Sequence, residues 1–164
     1  MGNDAAPTVR RAEPRDARSI AEVHVRAWRE AYAHLLPAAF LAALDVDARE
    51  DRWRGLVADP DLTVLVAERD GRVVGWASAG AGRDDEPVRD RELEGIYVLA
   101  GHHGSGTGQA LLDAAVGTEP AFLWVADRNP RAEAFYRRNG FERDGATKHV
   151  PIGPAGLDAV RMVR

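Results

Sequence analysis

The sequence predicts an α+β fold in one domain, and three observations carry that expectation. Strand-like segments cluster in the first half around a hairpin signal at Asp70-Gly71, whereas a doubly wound sheet would alternate strand and helix throughout. The 164 residues, 45% of them apolar, are enough for one core that hides about two-thirds of the unfolded surface. No repeat, linker or low-complexity segment divides the chain, so residues 8–164 are expected to form one unit behind a disordered tail at 1–7.

Each element follows from local pattern. Residues 8–12 read as a short strand, and Pro14 with Asp16 in the first turn suits the start of a helix over 14–33. Ile20, Val23, Ala27 and Ala31 form one apolar stripe on that helix, and Val25, Trp28, Tyr32 and Leu35 a second, so it should be covered on more than one side. Pro37 opens a second helix through Leu44, and 48–58 reads as a third. Strands at 62–68 and 72–79 flank the Asp70-Gly71 turn, and a polar loop at 80–89 leads to a strand at 92–98. A helix over 106–116, an apolar strand at 121–126, a helix over 130–139 ending at Gly140, and a strand at 157–163 complete the order.

Composition excludes several classes of function. The chain has no cysteine, which removes disulfides, thiolate-bound zinc and a cysteine nucleophile. A net charge of -4 gives no uniformly basic face for nucleic acid, and no run of 18 apolar residues could span a membrane. The start, Met1-Gly2-Asn3-Asp4-Ala5-Ala6-Pro7, lacks a basic n-region and an apolar run, so a cytoplasmic location is expected. All basic residues but Lys148 are arginine, a bias that a GC-rich coding sequence would produce.

The segment that carries chemistry is Tyr97-Val98 through Gly104-Ser105-Gly106-Thr107-Gly108-Gln109, a strand feeding a glycine loop that opens a helix. A helix N-terminus offers unsatisfied N–H groups and partial positive charge, so such a loop can hold phosphate oxygens through the main chain. A nucleotide-triphosphate loop would continue Gly-Lys-Ser/Thr, and here Gly108-Gln109-Ala110 follows. A dinucleotide fingerprint finds an acid, Asp127, at a fitting distance, but lacks its third glycine and sits after a hairpin in mid-chain. His102 and His103 are adjacent and point apart, no metal-ligand spacing appears, and there is no Gly-x-Ser-x-Gly elbow.

His103-Gly104-Ser105-Gly106-Thr107-Gly108 resembles the Arg/Gln-x-x-Gly-x-Gly/Ala signature of the GNAT superfamily of acetyl-CoA-dependent N-acetyltransferases, with His103 where that family usually has Arg or Gln. Asn129-Pro130-Arg131-Ala132-Glu133-Ala134-Phe135-Tyr136-Arg137-Arg138-Asn139-Gly140-Phe141 looks like its second block. The resemblance implies a mixed, mostly antiparallel sheet of six to seven strands, splayed near the cofactor, with helices on both faces. It implies acetyl-CoA as donor, bound by Tyr97, Val98 and residues 103–109, with Asn129 and Arg131 at the pantetheine or adenine end. Asn129 is equally a good helix N-cap.

Acetyl transfer to an amine needs a deprotonated nucleophile, a polarised thioester carbonyl and a proton for the departing thiolate. With no cysteine available, direct attack in a ternary complex is the expected route. The resemblance gives the Val98 N–H to the carbonyl and the acid role to Tyr136, whose phenol is protonated at neutral pH. Glu92 and Glu94 share one face of their strand, and the resemblance favours Glu92 as the base, because in register with the glycine loop it matches the position that some members of that family use for a catalytic glutamate. His24, Trp28, Tyr32 and Pro37 echo an acceptor-side pattern of small family members. A small-molecule or peptide amine is the expected partner, a homodimer is a further possibility, and a silent acetyl-CoA sensor or a nucleotide-dependent oxidoreductase are the rival classes.

Overall fold

The computed structural model describes residues 5–164; the first four residues of the expected tail lie outside the described residues. The strands are β1 (Thr8–Arg11), β2 (Thr63–Arg69), β3 (Arg72–Ala81), β4 (Arg91–Val98), β5 (Phe122–Ala126), β6 (Glu142–Val150) and β7 (Leu157–Val163). The helices are α1 (Ala17–Ala31), α2 (Ala38–Ala42), α3 (Val46–Ala58), α4 (Thr107–Ala115) and α5 (Pro130–Arg138). All seven strands join one sheet in the order β1-β2-β3-β4-β5-β7-β6.

Alternation along the strands sorts the core into two layers. Leu65 and Ala67 of β2 face α4 and α5, packing with Leu111, Leu112, Tyr136 and Phe141. Val64 and Val66 face the other way, against Ile20, Ala21 and Val23 of α1 and Trp53 of α3. Tyr32, Leu36, Leu41 and Ala126 close the remainder of the α1 face. Among the described residues no helix is long and apolar enough to cross a membrane.

Three local features bear on the sequence reading. The Asp70-Gly71 turn joins the paired residues Arg69 and Arg72, with φ of 50° and 71°, the positive pair that a tight primed hairpin turn requires. The helix expected from Pro14 begins as a single 3-10 turn, Pro14–Asp16, before α1 starts at Ala17. There the Asp16 carboxylate accepts from the Glu13 N–H and from both ends of the Arg10 guanidinium, which turns it inward. Finally, β6 is a strand with no counterpart in the sequence reading. It is an edge strand, exposed along most of its length, and its pairing with β7 is interrupted between Arg143 and Thr147 around Gly145. A polar, interrupted edge strand has no apolar alternation to announce it.

The sheet consists of two antiparallel halves. They meet where β4 runs parallel to β5, and this pairing covers only Glu92 with Phe122 and Leu93 with Leu123. One residue later β4 carries a bulge: Ala79 pairs with Leu93 and Ser78 with Gly95, so Glu94 is the extra residue. Past that point β4 and β5 diverge.

Candidate functional site

The divergence leaves main-chain groups facing a gap in the sheet. The Leu99 N–H donates to the Val74 carbonyl at 3.0 Å, on the β3 side. Successive residues of a strand direct their amides to opposite edges, so the N–H and C=O of Val98 turn toward β5, where the ladder has already ended. The Val98 carbonyl is taken by His103 Nε2 at 2.8 Å, and the Val98 N–H is left toward the gap.

The glycine loop begins at the top of the same gap. Gly104 and Gly106 have φ of 73° and 83°, a region other residues enter only with strain, and a Cβ at either would project into open space. Gly106 is the N-cap of α4 and supplies no side chain to the first-turn amides, which are left to a ligand or solvent. Ser105 Oγ donates to the His102 carbonyl at 2.6 Å and lies 2.9 Å from Thr107 Oγ1. From the β2–β3 hairpin, Arg69 donates to the Ser105 carbonyl at 2.7 Å and to Thr107 Oγ1 at 3.3 Å. Arg69 lies far from the motif in sequence, and only the folded hairpin brings it there. Gly108 packs beside Phe135, which seats α4 on α5. The Gln109 side chain is spent on a bridge to Asp113 and Asn139, both at 2.8 Å.

Tyr136 points from α5 into the core and is 7% exposed, yet its hydroxyl makes no hydrogen bond among the described residues. Burial, and secondarily the neighbouring Tyr32 phenol, push its pKa up, so it stays protonated through the neutral range. Tyr32 and Tyr97 approach from the opposite face with their hydroxyls 2.6 Å apart, and burial raises both. Tyr97 and Tyr136 are close enough to act on each other electrostatically although they belong to different faces. The gap between β4 and β5 therefore has Tyr136 on one side and the Tyr32–Tyr97 pair on the other.

The two candidate bases differ in environment. Glu92 is 1% exposed and its carboxylate is taken up by Arg83: the side chain donates at 2.7 and 3.2 Å and the backbone N–H at 2.9 Å. Glu94, on the bulge, is half-buried and lies 3.5 Å from Arg83 Nε. Desolvation raises its pKa, partly offset by the Arg83 charge. A neighbouring wall, absent from the sequence reading, is built on Trp124: its indole N–H donates to Asp84 at 3.1 Å, Lys148 Nζ sits 4.1 Å above its ring, and Arg161 joins Asp84 to Asp144. These residues come from a loop and three strands, and no local pattern links them.

Asn129 caps α5, its side chain accepting from the Ala132 N–H, and Arg131 is exposed one turn away from Phe135. Trp28 lies half-exposed between His24, Tyr32 and Tyr97. No group of three or more histidine, aspartate or glutamate residues among the described residues is arranged to hold a metal ion.

The sequence profile of the Acetyltransferase (GNAT) family matches residues 19–141. An uncharacterised N-acetyltransferase of Bacillus subtilis (strain 168), YuaI, is 35% identical over 172 residues, covering 95% of this chain and 97% of its own length. Among solved structures, the PaiA N-acetyltransferase from Thermoplasma acidophilum in complex with coenzyme A superposes with a TM-score of 0.74 at 17% identity, over 95% of this chain and 98% of that one. The YncA structure from Salmonella typhimurium with its cofactor acetyl-CoA gives 0.68 at 26% identity, over 98% and 94%.

Proposed function

Because this chain belongs to the GNAT acetyltransferase family, we propose that it transfers the acetyl group of acetyl-CoA to a primary amine by direct attack, with no covalent acyl-enzyme. The observation that carries the reading is the alignment of three features on one gap: an uncapped helix N-terminus behind glycines with positive φ, an unpaired Val98 N–H, and a buried tyrosine hydroxyl with no protein partner. A binding module without catalysis would need only the first of these.

The residues fit the donor. The N–H groups from Gly104 to Gln109 would hold the diphosphate, the edges of β4 and β5 would flank the pantetheine arm, and Arg131 at the exposed start of α5 would meet its outer end. Bound acetyl-CoA would supply an acetyl thioester, whose C–S bond breaks as the N–C bond of the product forms. The Val98 N–H, unpaired on the side of β4 that faces the gap, would be available to the thioester oxygen as it gains negative charge. Tyr136 Oη would be the donor to the sulfur and would give up its proton only as thiolate charge builds, because burial keeps the phenol neutral.

For the amine, Glu94 is the better-placed base. Its raised pKa brings a carboxylate nearer the working range of a proton acceptor. Glu92 is committed to Arg83 and serves to fix that arginine beneath Glu94. The one proton leaving the neutral amine's nitrogen would pass to Glu94 Oε and the one reaching sulfur would come from Tyr136 Oη; loss of the Glu94 proton to solvent and return of a proton to Tyr136 would restore both groups for the next turnover.

Free-thiol release from acetyl-CoA across a panel of amines tests the reading. Wild-type protein is expected to release thiol with at least one amine, and Tyr136→Phe to lower kcat about 100-fold with acetyl-CoA affinity, read by calorimetry, changed less than about twofold. Binding of acetyl-CoA without thiol release on any amine would establish the sensor reading instead, and binding of NAD(H) without CoA would establish an oxidoreductase.

A further inference from the structure

The acceptor side of the gap holds a cation without a counter-ion. Arg49, on α3, is half-buried, and among the described residues its guanidinium makes no hydrogen bond and no ion pair; it lies 5.4 Å from the centre of the Trp28 ring. Acidic side chains of the same helix are engaged elsewhere: Asp47 and Glu50 pair with Arg18, and Glu50 and Asp51 with Arg54. Buried charge is ordinarily paired, so an uncompensated half-buried arginine marks a place where an anion is accommodated.

A second, independent observation comes from the rings behind it. The Trp53 indole N–H donates to His24 Nδ1 at 3.1 Å, so Nδ1 is the accepting nitrogen and the proton of the neutral ring sits on Nε2. That Nε2–H and the Trp76 indole N–H are buried without a partner, while the Trp28 indole N–H is directed toward the Tyr97 hydroxyl. The three rings are neighbours, with His24 5.0 Å from Trp28 and 5.4 Å from Trp76. His24 and Trp76 are more than nine-tenths buried. Native interiors seldom leave one donor unsatisfied, and here two lie in one ring cluster next to an arginine without a counter-ion.

Trp28 links this cluster to the reaction centre. Its ring lies 5.2 Å from Tyr32 and 6.3 Å from Tyr97, the pair on one side of the gap. We propose that the acceptor is an amino acid in the broad sense, a small molecule carrying both the reacting amine and a carboxylate, and that Arg49 binds the carboxylate beside Trp28 while the amine reaches Glu94. The aromatic faces of Trp28, Tyr32 and Tyr97 suit a flat or branched apolar body between the two charges. A polyamine or an aminoglycoside would instead bring a second positive charge against Arg49. The inference rests on the acetyl-transfer reading above.

The test compares matched acids and amides by free-thiol release: L-phenylalanine with L-phenylalaninamide, and 4-aminomethylbenzoate with 4-aminomethylbenzamide, together with an aminoglycoside. In at least one pair kcat/KM for the acid is expected to exceed that for the amide by about tenfold or more, and Arg49→Gln is expected to bring the ratio to within about twofold of one. A loss of packing alone would lower both members of a pair and leave their ratio in place. Turnover of amides or of the aminoglycoside without preference for an acid, or an acid preference that survives in Arg49→Gln, overturns the proposal and leaves acetyl transfer standing. Absence of thiol release with every amine removes both.

Discussion

His24 makes the stability of this domain depend on acid through one identifiable group. Burial, followed by the charges of Arg49 and Arg52, lowers its pKa from 6.5 to about 3. In the unfolded chain the imidazole binds a proton as pH falls below about 6.5, and in the folded chain it does not until about pH 3. The unfolded state therefore gains protons first, and the stability associated with a neutral His24, fully present above pH 6.5, declines steadily below it. At pH 4.5 the two-unit interval corresponds to roughly 3 kcal/mol, at 1.36 kcal/mol per unit. For a domain of this length that is a fall in Tm of roughly 6–12 °C. Other titrating groups contribute as well, so the informative quantity is the difference between wild type and His24→Gln, in which the amide oxygen can still accept from Trp53. Urea unfolding of both proteins from pH 7 to 4.5 should show wild type losing about 3 kcal/mol more than the variant. Parallel pH profiles, agreeing within about 0.5 kcal/mol, would refute the argument that a desolvated neutral His24 lies in this core.

Two further perturbations concern the donor site. Gly106→Val places a β-branched residue at φ +83° and a methyl-bearing Cβ before the first amides of α4, and calorimetry should find acetyl-CoA binding weakened at least about tenfold while the far-ultraviolet spectrum is retained. Unchanged affinity would remove the phosphate role from the loop. Arg69→Gln loses the hydrogen bonds that hold Ser105 and Thr107, and KM for acetyl-CoA should rise about tenfold at constant kcat. KM for S-acetylpantetheine, which lacks the diphosphate, should not move; an equal rise for both donors would mean that Arg69 supports the fold generally.

What the sequence revealed divides along the range of the interactions. The hairpin, the glycine loop and the Asn129 cap are short-range, set by residues within a few positions of one another, and each was legible from local pattern. The strand β6 was not, because its exposed polar residues carry no periodicity. Glu92 and Glu94 both approach Arg83, but a bulge at Glu94 interrupts the two-residue period from which one shared face was expected, and Arg83 arrives from a loop whose course no pattern dictates. Arg69, Trp124 and Arg49 were missed for the same reason: each matters through a neighbour distant in sequence. The family resemblance pointed to the glycine loop and the strand before it because a main-chain motif is contiguous in sequence, whereas the ring cluster around Trp28 is assembled from side chains on separate elements.

The two-rung contact between β4 and β5 has a consequence for cooperativity. The β1–β4 meander and the β5–β7–β6 unit share only those two rungs as backbone pairing, so side-chain packing under α4 and α5 carries most of the load that binds the halves together. Amide protons of Ile96 and Val98, turned to an edge where no strand follows, should exchange with solvent well before those of the fully laddered β2 and β3. A pantetheine arm laid along that edge would act as a missing strand, and saturating acetyl-CoA would then raise the melting temperature of the whole sheet by adding backbone pairing where the two halves meet.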